Sequence, residues 1–333
     1  MCVYGVFYVI LICRKYFHRF NINFKQIVIA AIIAGTAALS VSAQRLPANF
    51  SDVYNPEIPQ SVHLCGKNIS LDRPDMYERF DRELTSIAYT HGTTLLMIKR
   101  ANRLFPEMAP ILMEAGVPLD MLYLACVEST LDQRALSPAK AAGIWQFMPT
   151  TAREFGLEVN DEVDERYNLE KATRAAAKYL KKSFATFGDW PSVMAAYNGG
   201  NARISGELGK QQAKTSLDLY LTEETSRYPY RIMAMKTILE NPSKYGFHLR
   251  DDQLYQPRKY RTVKVSGPVN DWAEWAKKEG ISYLTLREEN PWIRSKKLTN
   301  KTGKTYTVRI PLAESMSRKT AGTKTYNPDW TDR

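Results

Sequence analysis

The chain has 333 residues, of which 44% are hydrophobic and 24% are charged. These fractions are close to those of ordinary globular domains, so they exclude an intrinsically disordered chain and a protein with many membrane spans. The formal net charge is +11. A basic surface favours a polyanionic partner such as nucleic acid, lipid head groups or the carboxylate-bearing peptides of a cell wall, without choosing among them.

The first 43 residues have the order of a secretory signal. Lys25 precedes an apolar run over 27–41, and Val41-Ser42-Ala43 then places small residues at a cleavage site. We therefore expect a signal peptide over 1–43, a mature chain that begins at Gln44, and export to the periplasm or cell envelope. Export argues against nucleic acid as a partner. An uncleaved segment, which would keep the protein associated with a membrane, stays open as the alternative.

Two cysteines, Cys65 and Cys126, follow that segment. In an oxidising compartment they can form a disulfide, whereas the apolar surroundings of Cys126 favour a small buried side chain. Both interpretations stay open. The four histidines show no metal-ligand spacing, so the sequence predicts no metal site.

The region that follows changes from proline-rich to periodic. Residues 44–71 contain three prolines and little periodicity, which predicts an extended linker. Residues 72–110 form the predicted N-terminal helical region, and a second helical pattern within it is expected to end at Pro106. The apolar stripe of its first helix recurs at spacings of three and four: Met76, Phe80, Leu84 and Ile87.

The segment 118–130 reads PLDMLYLACVEST and is apolar on most faces, which predicts a buried helix. Glu128 lies near its end. Desolvation there disfavours the charged carboxylate and raises its pKa, and a glycosidase requires such a carboxyl group as its proton donor. A buried glutamate paired with an arginine is the alternative interpretation.

Further helices are predicted by their end signals. Trp190-Pro191 begins one that Gly199-Gly200 ends, and Asn241-Pro242 closes another. Strand alternation is absent from the sequence over 72–242. The sequence therefore predicts a mainly α domain.

Motifs downstream of Glu128-Ser129 follow a recognisable order: Ser137, the run 143–149 (GIWQFMP), Thr151-Ala152 and the run 196–200 (AYNGG). In order, spacing and residue type they resemble the soluble lytic transglycosylase domain of glycoside hydrolase family 23. The resemblance implies a lysozyme-like, largely helical catalytic domain over 111–250. It also implies a groove for peptidoglycan strands of alternating N-acetylglucosamine and N-acetylmuramic acid, and no metal or other cofactor.

The resemblance assigns roles to individual residues. Glu128 is the expected catalytic acid and base. The expected substrate-binding residues are Ser137, Gln146, Phe147, Met148, Tyr197, Asn198 and Glu224. Each of these seven has a structural alternative, because an aromatic residue can pack in the core and a serine or asparagine can form a turn or a cap.

The motifs surround one carboxylate, whereas ordinary glycosidases use two. A transglycosylase can work with one, because the 2-acetamido group of the substrate assists departure of the leaving sugar and its C6 hydroxyl attacks the anomeric carbon. The expected product ends in 1,6-anhydro-N-acetylmuramic acid. The alternatives are a hydrolase like the goose-type lysozymes and a catalytically silent peptidoglycan-binding protein.

Residues 258–311 predict a small separate βααβ module: a strand after Tyr260, helices from Asp271 and Thr285, and a strand over 306–310. They resemble a divergent LysM domain, which binds chains of N-acetylglucosamine. The Gly-Asp-Thr usual near the first helix is absent, so sugar binding stays open against a packing role. Residues 312–333 are predicted to be a disordered tail.

Overall fold

The computed structural model describes residues 54–301, 303–318 and 323–332. The predicted signal peptide and the first part of the predicted linker lie outside the described residues. The chain from Asn55 onward forms one compact unit. Within the described ranges, every helix falls short of the length and apolar character that a membrane span needs.

A β-hairpin opens this unit. Strands β1 (Ser61–Leu64) and β2 (Lys67–Ser70) pair antiparallel. Cys65 and Gly66 connect them with φ of 49° and 84°, the positive values that a tight two-residue hairpin turn requires. Alternate residues of β1 are buried in the main core. The extended linker predicted over 44–71 is therefore corrected to a hairpin over residues 61–70. This short segment is ordered because alternate residues of β1 are buried.

Two long helices follow, α1 (Pro74–Tyr89) and α2 (His91–Glu114). Helix α2 continues through Pro106 and Pro110, so the prediction that Pro106 ends it was wrong. An internal proline costs about 3 kcal/mol, and burial of one large apolar side chain contributes roughly 1.5–3 kcal/mol. Tertiary packing offsets the cost, because buried apolar residues surround the prolines: Phe105, Met108 and Leu112.

The rest of the catalytic region is helical, which confirms the mainly α fold. Helix α8 (Glu223–Glu240) is central, since it packs against α1, α3 (Met121–Ser129) and α6 (Trp190–Gly199). The end signals of α6 and the Asn241-Pro242 stop after α8 were predicted correctly. The helices are α3 (Met121–Ser129), α4 (Pro149–Glu154), α5 (Leu169–Phe187), α6 (Trp190–Gly199), α7 (Asn201–Lys210) and α8 (Glu223–Glu240).

The C-terminal module has the predicted βααβ order. Strands β3 and β4 pair antiparallel, and the Asp271 carboxylate accepts hydrogen bonds from the backbone N–H groups that begin the first helix. The second helix begins two residues before the predicted Thr285. The elements are β3 (Tyr260–Val265), α9 (Trp272–Lys278), α10 (Tyr283–Glu289) and β4 (Tyr306–Pro311).

This module packs closely against the catalytic region. The backbone N–H of Asp164 donates to the Trp292 carbonyl at 2.9 Å, and Arg309 pairs with Glu107 at 2.6 Å. The core of the module also includes three catalytic-region residues: Ala142, Val163 and Tyr167. The expectation of a separate module is therefore corrected, because its hydrophobic core is completed by the neighbouring domain.

The described part of the C-terminal tail is ordered, so the disorder predicted over 312–333 is corrected there. The buried Trp330 indole donates to the Leu239 carbonyl at 2.5 Å. The buried amide of Asn102 accepts from the Tyr326 N–H at 2.7 Å and donates to the Lys324 carbonyl at 2.9 Å. One buried tryptophan and one satisfied asparagine fix a segment whose composition is polar.

The two cysteines of the described chain are free thiols. Cys126 is fully buried in α3 and Cys65 is half-buried in the hairpin turn. Burial raises the pKa of both thiols. The structure thus places Cys126 as a small core residue rather than as a disulfide partner.

Candidate active site

Glu128 lies in the last turn of α3, and the helix ends at Thr130 with a left-handed backbone of φ 52°. As a whole, the residue is only partly accessible to solvent. The pKa of Glu128 is raised to about 7, chiefly by burial and also by the charge of Glu224, while a hydrogen bond from Tyr228 and the charge of Arg231 act in the opposite direction. The negative end of the helix dipole also favours the protonated form. The carboxyl group therefore keeps its proton up to near-neutral pH.

Tyr228 holds that carboxyl group in place. It lies on α8, its side chain is buried, and its hydroxyl donates to Glu128 Oε1. The sequence analysis assigned no role to Tyr228. The missed signal is its spacing of four from Glu224, which puts both side chains on one face of a helix.

Tyr197 lies on the other side of Glu128. Its hydroxyl donates to the Trp145 carbonyl at 2.6 Å, and its ring lies 5.1 Å from that of Tyr179. Burial, together with the charge of Glu128, raises the pKa of Tyr197 well above its usual value. Tyr197 therefore stays neutral and connects α6 to the loop that carries the GIWQFMP run.

This loop, residues 137–148, is held by internal hydrogen bonds. Ser137 Oγ accepts from the Ala141 N–H at 3.0 Å, and Gln146 Nε2 donates to the Gly143 carbonyl at 2.8 Å. Gly143 has φ 77°, and a Cβ there would lie 2.0 Å from the Arg166 carbonyl oxygen. The loop thus has a glycine where no other residue fits. Ser137 and Gln146 help to shape it.

Arg166 also holds this loop in place, and the sequence analysis assigned it no role. Its buried guanidinium pairs with Asp164 at 2.7 Å and donates to the carbonyls of Lys140 at 2.7 Å and Phe147 at 2.9 Å. Asp164 in turn bonds through its backbone to Trp292 of the C-terminal module. A chain of contacts therefore runs from that module to the active-site loop.

The neighbours Phe147 and Met148 point to opposite sides of the loop. Phe147 is only 4% exposed, and its ring packs 6.4 Å from those of Tyr179 and Tyr197. The groove-lining role predicted for Phe147 is therefore corrected to a core role beneath the site. Met148 is 43% exposed and is accessible to a ligand, as predicted.

Asn198 and Glu224 come together where the end of α6 meets the start of α8. Asn198 Nδ2 donates to Glu224 Oε1 at 3.4 Å, and the Thr225 hydroxyl donates to Asn198 Oδ1 at 2.9 Å. Glu224 is exposed, and its charge acts on Glu128. The fold thus brings these two residues near Glu128 from distant parts of the sequence.

The assembled site offers one protonated carboxyl group, two neutral tyrosines and one exposed carboxylate. This set can donate a proton to a bound substrate and later accept one. In the ranges that the structure describes, no group of three or more histidine, cysteine, aspartate or glutamate side chains is placed to bind a metal ion.

Comparisons with known proteins agree with this geometry. Residues 113–219 match the family model of the transglycosylase SLT domain, and residues 261–314 match that of the soluble lytic transglycosylase C-terminal LysM-like domain. Glu128, the motif loop and Asn198 all lie within the first match.

Individual relatives were also found. Membrane-bound lytic murein transglycosylase D of Escherichia coli K12 is 31% identical over 226 residues, which are 66% of this chain and 48% of that protein. The same values hold for the protein of that name from E. coli O6:H1. A protein named for tributyltin chloride resistance, from Alteromonas sp. strain M-1, is 29% identical over 120 residues, or 34% of this chain and 58% of that protein.

The chain spans about half the length of the E. coli relatives that it matches. Both family matches fall within the described compact unit. On these findings, residues 113–219 are similar to the transglycosylase SLT domain, and residues 261–314 are similar to the soluble lytic transglycosylase C-terminal LysM-like domain.

Proposed function

We propose that this chain is a peptidoglycan lytic transglycosylase that cleaves the β-1,4 bond between N-acetylmuramic acid and N-acetylglucosamine, with Glu128 as its single general acid and base. The observation that carries the proposal is the carboxyl group of Glu128, whose pKa burial raises to about 7 inside a transglycosylase SLT domain. A carboxyl group that is protonated near neutral pH can protonate a glycosidic oxygen.

The proposed reaction has two proton transfers through Glu128. In the first, the carboxyl proton moves to the glycosidic oxygen while the C1–O bond breaks, and the leaving N-acetylglucosamine takes the electron pair. The 2-acetamido group of the muramic acid stabilises the positive charge at C1. In the second, the C6 hydroxyl of that sugar attacks C1 and gives its proton to the Glu128 carboxylate, so a 1,6-anhydro ring forms without water.

The surrounding residues have supporting roles in this proposal. Tyr228 orients the carboxyl group through its hydrogen bond to Oε1. The strand is bound by the accessible members of the predicted set: Ser137, Gln146, Met148, Tyr197, Asn198 and Glu224. Phe147 supports Tyr197 from the core.

Glu224 favours one competing function. Its exposed carboxylate is close enough to act on Glu128 and is bonded to Asn198, so it could orient a water molecule as the second carboxylate of a hydrolase. Mass spectrometry of the products from purified peptidoglycan separates the two. Anhydro ends support the transglycosylase, whereas reducing N-acetylmuramic acid ends would replace it with a lysozyme-like hydrolase. Release of no product would leave a silent wall-binding protein.

The proposed partner is the peptidoglycan strand, and the proposed location is the cell envelope. Export would use residues 1–43, which lie outside the described residues. N-terminal sequencing of the exported protein tests this step. A start at Gln44 supports cleavage, and retention of residues 1–43 would support a membrane anchor instead.

A further inference from the structure

A second concave site lies beside the catalytic site. It is a cleft of about 590 Å³ between α1, α7 and the start of α8, a volume within the usual range for ligand sites. Four arginines line it, together with Tyr220 and two acids, Glu207 and Glu223: Arg79, Arg82, Arg203 and Arg227. We call it the basic cleft.

Two of the four arginines are already paired. Arg82 contacts Glu223, and Arg227 contacts the buried Glu83. Arg79 and Arg203 are different, because no carboxylate of the described chain lies within 4.0 Å of either guanidinium. Arg79 lies 6.0 Å from the centre of the Tyr230 ring, and Arg203 Nη2 donates to the Thr222 hydroxyl at 3.5 Å. Nearby acids feel both charges, since Arg79 contributes to the lowered pKa of Asp75 and Arg203 to that of Glu207. The basic cleft therefore presents two guanidinium groups that have acids near them but form no close ion pair.

The basic cleft and the catalytic site share the first turn of α8. The Thr222 hydroxyl donates to Thr225 Oγ1 at 3.1 Å, and Thr225 donates to Asn198 of the catalytic site. One turn later, Arg227 lines the cleft while its neighbour Tyr228 holds Glu128. A peptidoglycan strand bound at Glu128 would thus have to pass only the start of α8 to reach the basic cleft.

The chemistry of the cleft selects one part of a peptidoglycan strand. The sugars of a peptide-bearing strand are neutral, because the lactyl carboxyl group of each N-acetylmuramic acid is in amide linkage to its peptide, whereas that peptide carries free carboxylates. Arginine binds carboxylates through paired hydrogen bonds. Tyr220, which is 89% exposed, adds an apolar surface at the rim against which a peptide can pack.

We propose that the basic cleft binds a carboxylate of the stem peptide while the glycan of the same strand occupies the Glu128 site, an inference that rests on the proposed function. Arg79 and Arg203 provide the contacts. The cleft thereby makes the enzyme favour strands that carry peptides over strands from which an amidase has removed them.

Binding is measured in the inactive Glu128→Gln protein, so that the result does not depend on catalysis. The ligands are two glycan oligomers of equal length, one with its stem peptides and one stripped of them by an amidase, whose remaining lactyl carboxylates lie on the sugars themselves rather than along a peptide. The charge-neutralising variants are Arg79→Gln, Arg203→Gln and the double variant. Lys181→Gln, an exposed cation on α5, is the matched control for a general loss of positive charge.

A charge-assisted hydrogen bond is stronger than one between neutral groups, and partial exposure of the cleft to water weakens it. We expect each single variant to weaken binding of the peptide-bearing oligomer about tenfold, with no change for the stripped oligomer or for Lys181→Gln. Raising the salt concentration should reduce the preference of the parent protein.

Equal affinity of the parent protein for the two oligomers would overturn the proposal, as would equal losses on both oligomers in the arginine variants. Failure of the proposed function has a different signature. It appears as missing anhydro products with the active protein, whatever the two affinities are.

Discussion

Two glutamates of the helical region, Glu83 and Glu128, are largely shielded from water and have opposite surroundings. Glu83 on α1 is 2% exposed and contacts two arginines, Arg227 and Arg231, the latter at 2.9 Å. Glu128 on α3 has a tyrosine hydroxyl as its hydrogen-bond partner and feels Arg231 only through space. The same residue type is thus held by two arginines in one place, whereas in the other it has the surroundings that the proposed proton transfer requires.

The two sites are connected through Arg231. Because this guanidinium pairs with Glu83, it does not form an ion pair with Glu128. Burial without a cationic partner raises the pKa of a carboxyl group, whereas two paired guanidiniums stabilise the charged form. The ion pair that the sequence analysis weighed for Glu128 exists in this protein, but at Glu83.

The largest expected effect is that of Glu128→Gln on activity. An amide cannot donate the proton, so we expect a loss of at least about 10²–10⁴-fold in the release of anhydro-muropeptides, with the fold intact by circular dichroism. Normal activity in a folded Glu128→Gln protein would remove this residue from the mechanism.

The same variant should show a pH-dependent gain in stability. The pKa of Glu128 is about 7 in the folded protein, above the ordinary value of 4.5, so the folded state binds this proton more tightly than the unfolded chain does. Wild-type stability therefore falls as the pH rises from about 4.5 through about 7, by on the order of 3 kcal/mol. The Tm advantage of Glu128→Gln should grow across that window. An advantage that is the same at pH 4 and pH 8 would contradict the raised pKa.

Glu83→Gln should act in the opposite way. Removing the shared anion leaves Arg231 without its ion pair and Arg227 with only the more distant Glu223, at 3.9 Å. We expect a loss of about 3 kcal/mol in the free energy of unfolding, measured by urea denaturation. Freed from its partner, Arg231 should also lower the pKa of Glu128. Glu78→Gln, at an exposed position of α1, is the control, and equal stability of the two variants would show that the pair contributes nothing.

Arg166→Ala tests the support of the active-site loop. Loss of the two bonds to the carbonyls of Lys140 and Phe147 should misplace Gln146 and Met148 and lower kcat by up to about 10²-fold. Arg166→Lys should keep a charge next to Asp164 and recover part of kcat. Arg153→Ala, at an exposed arginine with one backbone bond, should leave kcat unchanged. An unchanged kcat in Arg166→Ala would show that the contacts from the C-terminal module through Asp164 and Arg166 do not affect catalysis.

Tyr228→Phe should give the smallest change. The hydroxyl lowers the pKa of Glu128, so its removal should move the alkaline limb of the pH profile to higher pH and lower kcat by up to about tenfold. Tyr123→Phe, on the catalytic helix but bonded to Glu240 at 3.4 Å, is the control. A shift to lower pH in Tyr228→Phe would mean that the hydroxyl stabilises the protonated form.

Local signals predicted much of the fold and part of the site. The Trp190-Pro191 start, the Gly199-Gly200 end and the βααβ order follow from capping and periodicity, which act within a few residues. The raised pKa of Glu128 follows from an apolar helix around one carboxyl group. These features depend on neighbours in sequence.

Features that depend on distant residues could not be predicted in this way. The order around Trp330 requires a hydrogen-bond partner 91 positions away, and the role of Arg166 requires partners 26 and 19 positions away. The path of α2 through Pro106 depends on burial in the core, which a local proline signal does not show. Phe147 was predicted to bind substrate but is buried in the core, because a motif gives residue identity but not which side chain faces the core. Tyr228 was missed because its partner lies 100 residues away.

The central claim is that one buried carboxyl group, Glu128, must be protonated to start the reaction. The pH dependence of kcat/KM for wild-type protein on a soluble glycan tests it most directly, because this ratio reports the pKa of the free enzyme. The account predicts a plateau at acidic pH and a fall above about pH 7, at about tenfold per pH unit. A fall that begins near pH 4.5, or a flat profile through pH 9, would contradict it.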